Sequence, residues 1–578
     1  MEKTAPDIAY DTERLDHLGI VAGVCREIGL AEFLDAHAEG SRQRVSVGAA
    51  TVAMVLNGLG FSNRRLYLVP QFFENKPLER LLDVPGIEAA DLNDDCLGRT
   101  LDWLHANDVT RLFAGIALRA RRAFGIEEEP SRVHVDTTSF SVSGNYEAAA
   151  GEKEEEEETM LAVTYGYSRD HRSDLKQWML ALATTHEGDV PLFMRPLDGN
   201  GSDAHTLVAA VEALKDQLES GGEKAQGQTG EERERPLAAS IYVADAGIYS
   251  EENMSRLAQA GVEWVSRVPA TSTAARSAID PQEPPDWHHH EDGRLRWYTR
   301  FVELPQGRTE RWVVVSSEEG CKRIEKTFWR QAARQREKWE KELERLGNRA
   351  FACEADARQA LKEVTKKNKR MPEWLKVRKT TLSSRPRYAK GGRPAKDAKA
   401  VSIEWRIKAT LGIDHERADH ECELRSRYIV GTSVLDGGRL SEEELIRTYK
   451  GQGGVERGFR FLKDPLFLAS SVFVKKPERI EALGLVMVVC LLVYRLAEQR
   501  LRERLAQSGQ SVPNQVGKPI TNPTMRWVFQ FFEGIDVLYV RSPVGVEVSQ
   551  HVLHLRAVHE QVLGLLGPPY QKLYDVPI

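Results

Sequence analysis

The pattern of hydrophobic and polar positions changes its period once along the chain. From residue 11 to about residue 125, apolar positions recur at helical spacing, as in the segment Leu15 to Cys25. Beyond residue 130, runs of β-branched and aromatic residues take over, and such runs are typical of strands. This change predicts a helical N-terminal region followed by a mixed α/β region.

One part of the helical region suggests a DNA-binding motif. Residues 47–57 predict a helix, residues 58–60 a turn, and Ser62 the N-cap of a second helix that opens with Arg64 and Arg65. This order resembles a helix-turn-helix, whose second helix would bring both arginines to a DNA groove or phosphate. A generic helical hairpin fits the same pattern without any contact to DNA.

Two aspartates occupy unusual places in predicted strands. Asp136 is at the centre of the strand predicted over residues 132–143, although ionised carboxylates are rarely buried without a partner. Asp245 ends a second apolar strand and precedes a glycine turn and a helix capped near Ser250. Ligands and catalytic groups collect at such strand ends, but a lone aspartate there is also typical of a turn or cap.

The rest of this region predicts a sheet with interspersed helices. Further strands are predicted around residues 161–167, 177–185 and 263–268, and helices around 205–218 and 251–260. Later, residues 297–316 alternate like a hairpin, residues 321–369 predict a long charged helix or helical pair, and residues 401–435 return to strands.

A late segment carries four polar side chains at turn intervals. Tyr449, Gln452, Glu456 and Lys463 have the offsets of one face of a predicted helix. A carboxylate flanked by hydrogen-bond donors can hold a divalent cation and phosphate oxygens. A lone helical glutamate is otherwise most often a solvated charge.

The order of strand aspartate, strand-end aspartate and helix glutamate resembles that of the RNase H-like polynucleotidyl transferases known as DDE transposases. The spacing from Tyr449 to Lys463 resembles the Y-x2-R-x3-E-x6-K signature of the IS-four family of bacterial insertion-sequence transposases, with Gln452 at the arginine position. Gln452 keeps hydrogen-bonding capacity but lacks the guanidinium charge, which Arg457 or Arg460 would replace. The likeness extends over roughly residues 130 to 500 and includes residues 166–177, 199–203, 267–269, 463–465 and 477–482.

This resemblance implies an α/β fold class: an RNase H-like catalytic core, with a mixed five-stranded sheet and helices, interrupted by an insertion domain and preceded by a helical N-terminal domain. The implied domains are residues 1–125, helical; 126–275, first part of the core; 276–435, insertion domain; 436–510, second part of the core; and 511–578, C-terminal region.

The resemblance also implies a site and a reaction. Asp136, Asp245 and Glu456 would be catalytic and would bind Mg²⁺ or Mn²⁺, with two ions bridged by Asp136. The implied DNA-binding residues are Tyr449, Gln452, Lys463, Arg457, Arg460, Arg64 and Arg65. The implied partners are the terminal inverted repeats of an element and target double-stranded DNA, bound by a homodimer. If the hairpin route of the family applies, Trp297, Trp312 or Trp405 would stack on a flipped base.

The net charge and the local distribution of charge lead to different predictions about binding to phosphates. The formal net charge of −6 argues against binding to phosphates, yet residues 366–399 hold 13 Lys or Arg and two acids. That basic stretch predicts either contact with the DNA backbone or a solvated linker. Dispersed cysteines, an N-terminus without a signal-peptide pattern and a longest apolar run of 13 residues (482–494) predict a cytoplasmic, nucleoid-associated bacterial or archaeal protein without a membrane span. The apolar run predicts a buried core helix.

Three other functions remain open from sequence. An RNase H-fold nuclease would cut DNA without joining it, and an idle transposase descendant would bind DNA without cutting. A scaffold unrelated to nucleic acid would show no salt-sensitive DNA affinity.

Overall fold

The computed structural model describes residues 9–38, 44–61, 68–126, 131–144, 146, 161–167, 172–201, 207–216, 240–367, 371–389, 399–464, 476–542 and 547–577. The chain forms two compact units, one made of Met1–Ser266 with Asp436–Ile578 and the other of Arg267–Leu435. The finer domain boundaries proposed above stay predictions.

The N-terminal part of the first unit is helical, as predicted. Ser46, Asn93 and Asp108 cap three of these helices by accepting bonds from backbone N–H groups in the first turn. The elements are β1 Ala9–Arg14, α1 Leu18–Ile28, α2 Leu30–His37, α3 Val47–Leu59, α4 Val69–Phe73, α5 Leu78–Leu82, α6 Asp94–Ala106 and α7 Val109–Phe124. The predicted helix at 47–57 is confirmed and extends to Leu59. Arg64 and Arg65 lie outside the described residues.

A mixed sheet forms the centre of the first unit. Its strands have the order β4-β3-β2-β5-β6, with antiparallel pairing among β2, β3 and β4 and parallel pairing from β2 to β5 and from β5 to β6. The elements of this part are β2 Arg132–Val142, β3 Lys176–Thr185, β4 Pro191–Leu197, α8 over 207–216, β5 Ile241–Ala244, α9 Glu251–Gln259 and β6 Glu263–Val268. The mixed α/β class is therefore confirmed.

One predicted strand is wrong. Residues 161–167 make only an isolated bridge, between Thr164 and Gln177, and the third strand of the antiparallel group is β4. The apolar alternation at 161–167 reflects Leu161 and Val163, which bury their side chains in the main core without extended pairing.

The second unit begins with further strands and helices. They are α10 Thr273–Ile279, β7 His288–His289, β8 Leu295–Leu304, β9 Arg308–Ser317, α11 Glu318–Gly347, α12 Glu354–Lys367, β10 Leu375–Arg387, β11 Ser402–Ile413, α13 His415–Ser426 and β12 Tyr428–Thr432. Within this unit one group of strands has the order β12-β9-β8-β7, and β10 pairs with β11 as a two-stranded ribbon. The predicted hairpin and helical pair are confirmed. The strands predicted within 401–435 are confirmed by β11 and β12, and the helix α13 between them was not predicted. The linker alternative fails for residues 375–387, which form β10.

The remaining elements return to the first unit. They are α14 Glu442–Lys450, α15 Gly453–Leu462, α16 Pro477–Ser508, β13 Val512–Pro513, β14 Pro519–Ile520, α17 Met525–Phe531, β15 Asp536–Arg541, β16 Glu547–Leu553, α18 Ala557–Leu566 and α19 Pro568–Leu573. The C-terminal strands β15 and β16 form a sheet with β1, which brings both ends of the described chain together.

The longest apolar helix, α16, is the centre of the main core. By length and composition it would be able to cross a membrane, but 94% of its most apolar window is buried within the fold. It packs with α3, α6 and α7 and with apolar side chains of the sheet such as Trp178. The prediction of a buried core helix is confirmed.

Candidate active site

Asp136 is nearly buried on one defined face of the sheet. Its exposed fraction is 7%, and its Oδ1 accepts a bond from the Thr137 N–H at 2.7 Å. Side chains alternate along β2: Val133 and Val135 join the core with α8 and α9, whereas Phe140 joins the core with α15 and α16. Asp136 and Phe140 are four residues apart on β2, so their side chains point to the same face of the sheet, the one toward α15 and α16.

Asp245 directly follows β5, the strand that pairs with β2. The parallel pairing ends at His134 opposite Val243, and the same register extended by two residues would bring Asp136 opposite Asp245. The backbone of Asp245 is still extended (φ −72°, ψ 178°), and Ala244 points into the core with α8 and α9. Asp245 therefore points to the opposite face, the one that carries Asp136.

The shape of the Asp245 loop is fixed by its own hydrogen bonds. Its Oδ1 accepts from the Gly247 N–H at 2.8 Å, capping the short 3₁₀ turn at 246–248, and its carbonyl accepts from the Ser266 hydroxyl at 2.9 Å. The predicted N-cap at Ser250 is confirmed, since its hydroxyl accepts from the Asn253 N–H. The carboxylate is half-buried at the strand end.

The prediction that Tyr449 to Lys463 forms one continuous helix is wrong. Tyr449 belongs to α14, Glu456 belongs to α15, and Gln452 is the residue just before α15. The helices are separated at Gly451 and Gln452, which keep helical dihedrals (φ −61°, ψ −19° and φ −53°, ψ −27°). Lys463 is the C-terminal cap of α15.

The second of these helices, α15, runs along β2 in the direction of the strand. At its start, Gln452 contacts His134, and further on a Cβ added to Gly458 would lie 3.6 Å from Leu182, the residue opposite Asp136 on β3. At its end, the Lys463 ammonium lies 5.7 Å from the centre of the Phe140 ring.

This path places Glu456 on the helix that covers the Asp136 face. Val455 and Phe459 bury their side chains toward the sheet, whereas Glu456, Arg457 and Arg460 are exposed. Asp136 and Asp245 thus point to one face of the sheet, and Glu456 lies on the helix that runs along that face.

Gln452 is buried and held at both ends of its amide. Its Nε2 donates to the Val135 carbonyl and its Oε1 faces His134 Nδ1, both at 3.0 Å. A carbonyl only accepts, so this contact fixes the amide orientation and makes His134 Nδ1 a donor. The neutral His134 Nε2 then accepts from His186 Nδ1 at 2.8 Å. A direct contact between Gln452 and DNA does not fit this arrangement, because the amide is occupied inside the protein.

Burial favours the neutral form of both histidines. It lowers the pKa of His134 to about 4, and the neighbouring His186 lowers it further while the bond to Gln452 opposes the change. Burial also lowers the pKa of His186. Neutral rings suit the chain of donors and acceptors that runs from His186 through His134 to Gln452.

Two glycines allow α15 to approach so closely. A Cβ on Gly451 would lie 2.8 Å from His186 and 2.9 Å from His134, and one on Gly454 would collide with Asp189. Asp189 also pairs with Arg457 at 2.8 Å. The start of α15 is therefore fixed to β2 and to the turn between β3 and β4.

The sequence analysis missed two residues near the start of α15, His186 and Asp189. Both follow a strand end, and the His-Glu-Gly-Asp sequence at 186–189 was the available turn signal. Asp189 accepts a hydrogen bond from Arg457, which lies 268 positions later in the sequence. The periodicity of apolar residues does not reveal a contact between positions so far apart.

The three carboxylates offer the oxygen ligands that a hard divalent cation prefers. They do not form a ready-made metal site in this structure. Asp136 and Asp245 would supply carboxylate oxygens from two neighbouring strands, and Glu456 would supply a third from the adjacent helix. Within the part of the chain that the structure describes, no group of three or more His, Cys, Asp or Glu residues is clustered closely enough to hold a metal.

The predicted base-stacking tryptophans are mostly unavailable. Trp312 and Trp297 have exposed fractions of 1% and 6%, and the Trp312 indole donates to Glu310 at 2.8 Å. Both side chains are core residues of the second unit, so the prediction does not fit them. Trp405 is half-buried on β11.

Comparison with known proteins gives the family. Residues 10–118 match a family described as a domain of unknown function, DUF4277. No curated protein matches the sequence. A solved cryo-EM structure of a piggyBac transposase synaptic complex with hairpin DNA aligns with 91% of this chain and 82% of that chain, at 10% identity and a TM-score of 0.33. Residues 127–493 match the family described as transposase DDE domain, and because this match covers more than half of the chain, the protein belongs to the DDE-domain transposases.

Proposed function

We propose that this protein cleaves the ends of a mobile DNA element and joins them to target DNA, in a reaction that depends on divalent cations. Membership of the transposase family supports DNA transposition and a polynucleotidyl transferase type of enzyme. The observation that supports the finer proposal is the parallel pairing of β2 with β5, which directs Asp136 and Asp245 to the face along which α15 carries Glu456.

In this proposal, the three carboxylates hold the cation. DDE domains generally use divalent metals, and the oxygen-only donor set favours Mg²⁺ or Mn²⁺. When bound, such ions neutralise phosphoryl oxygens and activate a water or 3′-hydroxyl. Asp136 and Asp245 are fixed by strands, whereas Glu456 is exposed and adjusts by side-chain rotation. Two ions with Asp136 as the shared ligand stay part of the proposal.

The remaining polar residues divide into two groups. Lys463 and Arg460 lie on or just after α15 and are the proposed phosphate contacts, together with half-buried Tyr449 at the end of α14. Gln452 is assigned instead to positioning, because it links β2 to the start of α15. Arg457 shares that role through Asp189, and the proposed role of Arg64 and Arg65 in DNA binding is kept as a prediction.

The proposal includes a narrower family, the IS-four group of insertion-sequence transposases. The Tyr449 to Lys463 spacing supports membership of the IS-four group, and the observed strand order supports an RNase H-like core. We further propose that a homodimer acts on terminal inverted repeats and target DNA in the cytoplasm.

The test is a cleavage and joining assay. Purified protein is incubated with DNA of the element ends and Mg²⁺, in parallel with Asp136→Asn, Glu456→Gln and the control Asp95→Asn, whose carboxylate is exposed on α6. We expect nicked and joined products with the unchanged protein and the control, and none with the two site variants. Cutting without joining would favour the nuclease, and binding without cutting by any protein would favour the idle descendant.

A further inference from the structure

The ribbon formed by β10 and β11 has two chemically different faces. The strands pair antiparallel from Lys379 opposite Thr410 to Arg387 opposite Ser402, without interruption beyond the bulge at 377–379. Directly opposed residues in such a pair point to the same face, and alternate residues point to opposite faces. The register therefore assigns every side chain of this segment to one face or the other.

One face of the ribbon is covered by helices. Ile407 has an exposed fraction of 1% and packs with Leu343 and Leu346 of α11, and its partner Leu382 joins the same cluster. Ala409 and Leu411 continue this apolar row on β11.

The opposite face is polar throughout and carries mostly positive charge. Beginning at Lys379, alternate residues of β10 and their partners on β11 are cations, hydroxyl-bearing residues and one acid: Lys379, Thr381, Ser383, Arg385, Arg387, Ser402, Glu404, Arg406, Lys408 and Thr410. All except half-buried Glu404 are exposed. We call this set the ribbon face.

Its cations are only slightly neutralised. Arg387 pairs with Glu404 at 3.3 Å. Among the residues that the structure describes, Lys379, Arg385, Arg406 and Lys408 have no ion-pair partner, which contrasts with Lys341, Arg345 and Arg358 on the neighbouring helices, each paired within one turn.

We propose that the ribbon face binds the phosphate backbone of double-stranded DNA, through a surface in the second unit separate from the carboxylates. This inference rests on the proposed function for the identity of the anion. The five cations extend over roughly 27 Å from Lys379 to Arg387 at strand spacing, comparable to about eight base pairs of duplex. A two-stranded ribbon is narrow enough to enter a major groove, and the hydroxyl side chains between the cations donate to phosphates without selecting a base.

The ribbon face does not coincide with residues 366–399, the basic stretch that the sequence predicts as a DNA contact. Arg406 and Lys408 belong to the face although they lie outside residues 366–399, because the pairing brings them opposite Ser383 and Thr381. Lys376 lies inside the stretch but pairs with Asp414 at 2.7 Å.

The test is salt-dependent DNA binding by the full chain. A triple variant, Lys379→Ala, Arg385→Ala and Arg406→Ala, is compared with the unchanged protein on a labelled 20-base-pair duplex of arbitrary sequence. We expect roughly 10- to 100-fold weaker binding near 0.1 M salt, and a slope of log K against log salt concentration that is smaller by about 2 to 3.

The matched control is Lys341→Ala, Arg345→Ala and Arg358→Ala, which removes the same charge from ion-paired positions of the same unit. We expect it to bind DNA like the unchanged protein. Equal weakening by both variants, or no change in the ribbon variant, would overturn the proposal. So would equal weakening toward an acidic peptide polymer and toward duplex DNA, since the face would then recognise charge alone.

The result of the binding assay does not depend on whether the three carboxylates are catalytic. Asp136→Asn should bind the duplex as tightly as the unchanged protein while it loses cleavage. If cleavage is never observed but the ribbon variant still loses salt-dependent binding, the surface stands and the catalytic assignment does not.

Discussion

At the scale of single residues, Gly451 decides how closely the two histidine rings approach α14 and α15. The side chain of an alanine there would lie within 2.9 Å of both rings. We expect Gly451→Ala to lower the free energy of unfolding by about 1–3 kcal/mol through overpacking, measured by chemical denaturation.

Gly564 provides the matched control for that substitution. It lies in helix α18, is exposed, and a Cβ added to it would meet no atom within 4 Å. Gly564→Ala should leave stability unchanged or raise it by about 0.5–1 kcal/mol. Similar effects of the two substitutions would show that the ring contacts do not limit the position of α15.

His134 makes stability depend on pH in a predictable direction. Burial lowers its folded pKa to about 4, below the unfolded value near 6.5, so the unfolded state binds the proton first. The neutral ring therefore contributes stability above about pH 6.5, and that contribution is lost as the pH falls toward 4.

We expect His134→Gln to flatten the decline of the unfolding midpoint between pH 7 and pH 4.5. His551→Gln, which changes an exposed histidine of β16, should keep the decline of the unchanged protein. Buried His17, whose pKa burial also lowers to about 4, contributes to the decline that remains in the His134 variant, as do His186 and His559, whose pKa values burial lowers. An unchanged decline in that variant would argue against a neutral, buried His134.

At the scale of elements, two arginines of α15 have different surroundings and different proposed roles. Arg457 pairs with Asp189, whereas Arg460 is exposed and has no ion-pair partner among the described residues. We expect Arg460→Ala to weaken binding to element-end DNA several-fold with an unchanged melting temperature. Arg457→Ala should instead lower stability by about 1 kcal/mol, because the Arg457 side chain is 57% exposed although its partner Asp189 is only 14% exposed. Reversed effects would show that the exposed face of α15 does not contact DNA.

The strands and helices with strong patterns were predictable from sequence. The runs around Asp136 and Asp245, the capped helix α9 and the apolar α16 follow from periodicity and capping that local physical chemistry imposes. The break between α14 and α15 was not predictable, because Gly451 and Gln452 keep helical dihedrals and Gln452 is held there by His134 and Val135, which are more than 300 positions away in the sequence. The strand error at 161–167 has a similar origin, since apolar alternation reports burial and not pairing.

The same limit applies to the candidate site. The sequence identified Asp136, Asp245 and Glu456 as chemically unusual, but their arrangement depends on a parallel register between β2 and β5. It placed Gln452 at a DNA contact, because side-chain type alone does not distinguish an amide that binds phosphate from one that binds a buried histidine. The structure supplies that distinction through burial.

At the scale of the whole molecule, a net charge of −6 and a polyanionic partner are compatible because charge is segregated by surface. The ribbon face concentrates cations, whereas helices α11 and α12 pair theirs with acids one turn away. The proposed binding to DNA would therefore depend on where the cations lie and not on their excess over the acids.

Binding of a cation to the carboxylates would stabilise the folded chain by mass action, because the unfolded chain does not bring Asp136 and Asp245 together. At a free concentration of about ten times Kd, the stabilisation is about 1.4 kcal/mol. We expect Mn²⁺ to raise the melting temperature relative to NaCl of equal ionic strength. Asp136→Asn and Asp245→Asn should lose this increase, Glu456→Gln should reduce it, and Asp95→Asn should retain it. An equal increase in all four variants would place the ion elsewhere on the protein and would remove the carboxylates from the proposed chemistry.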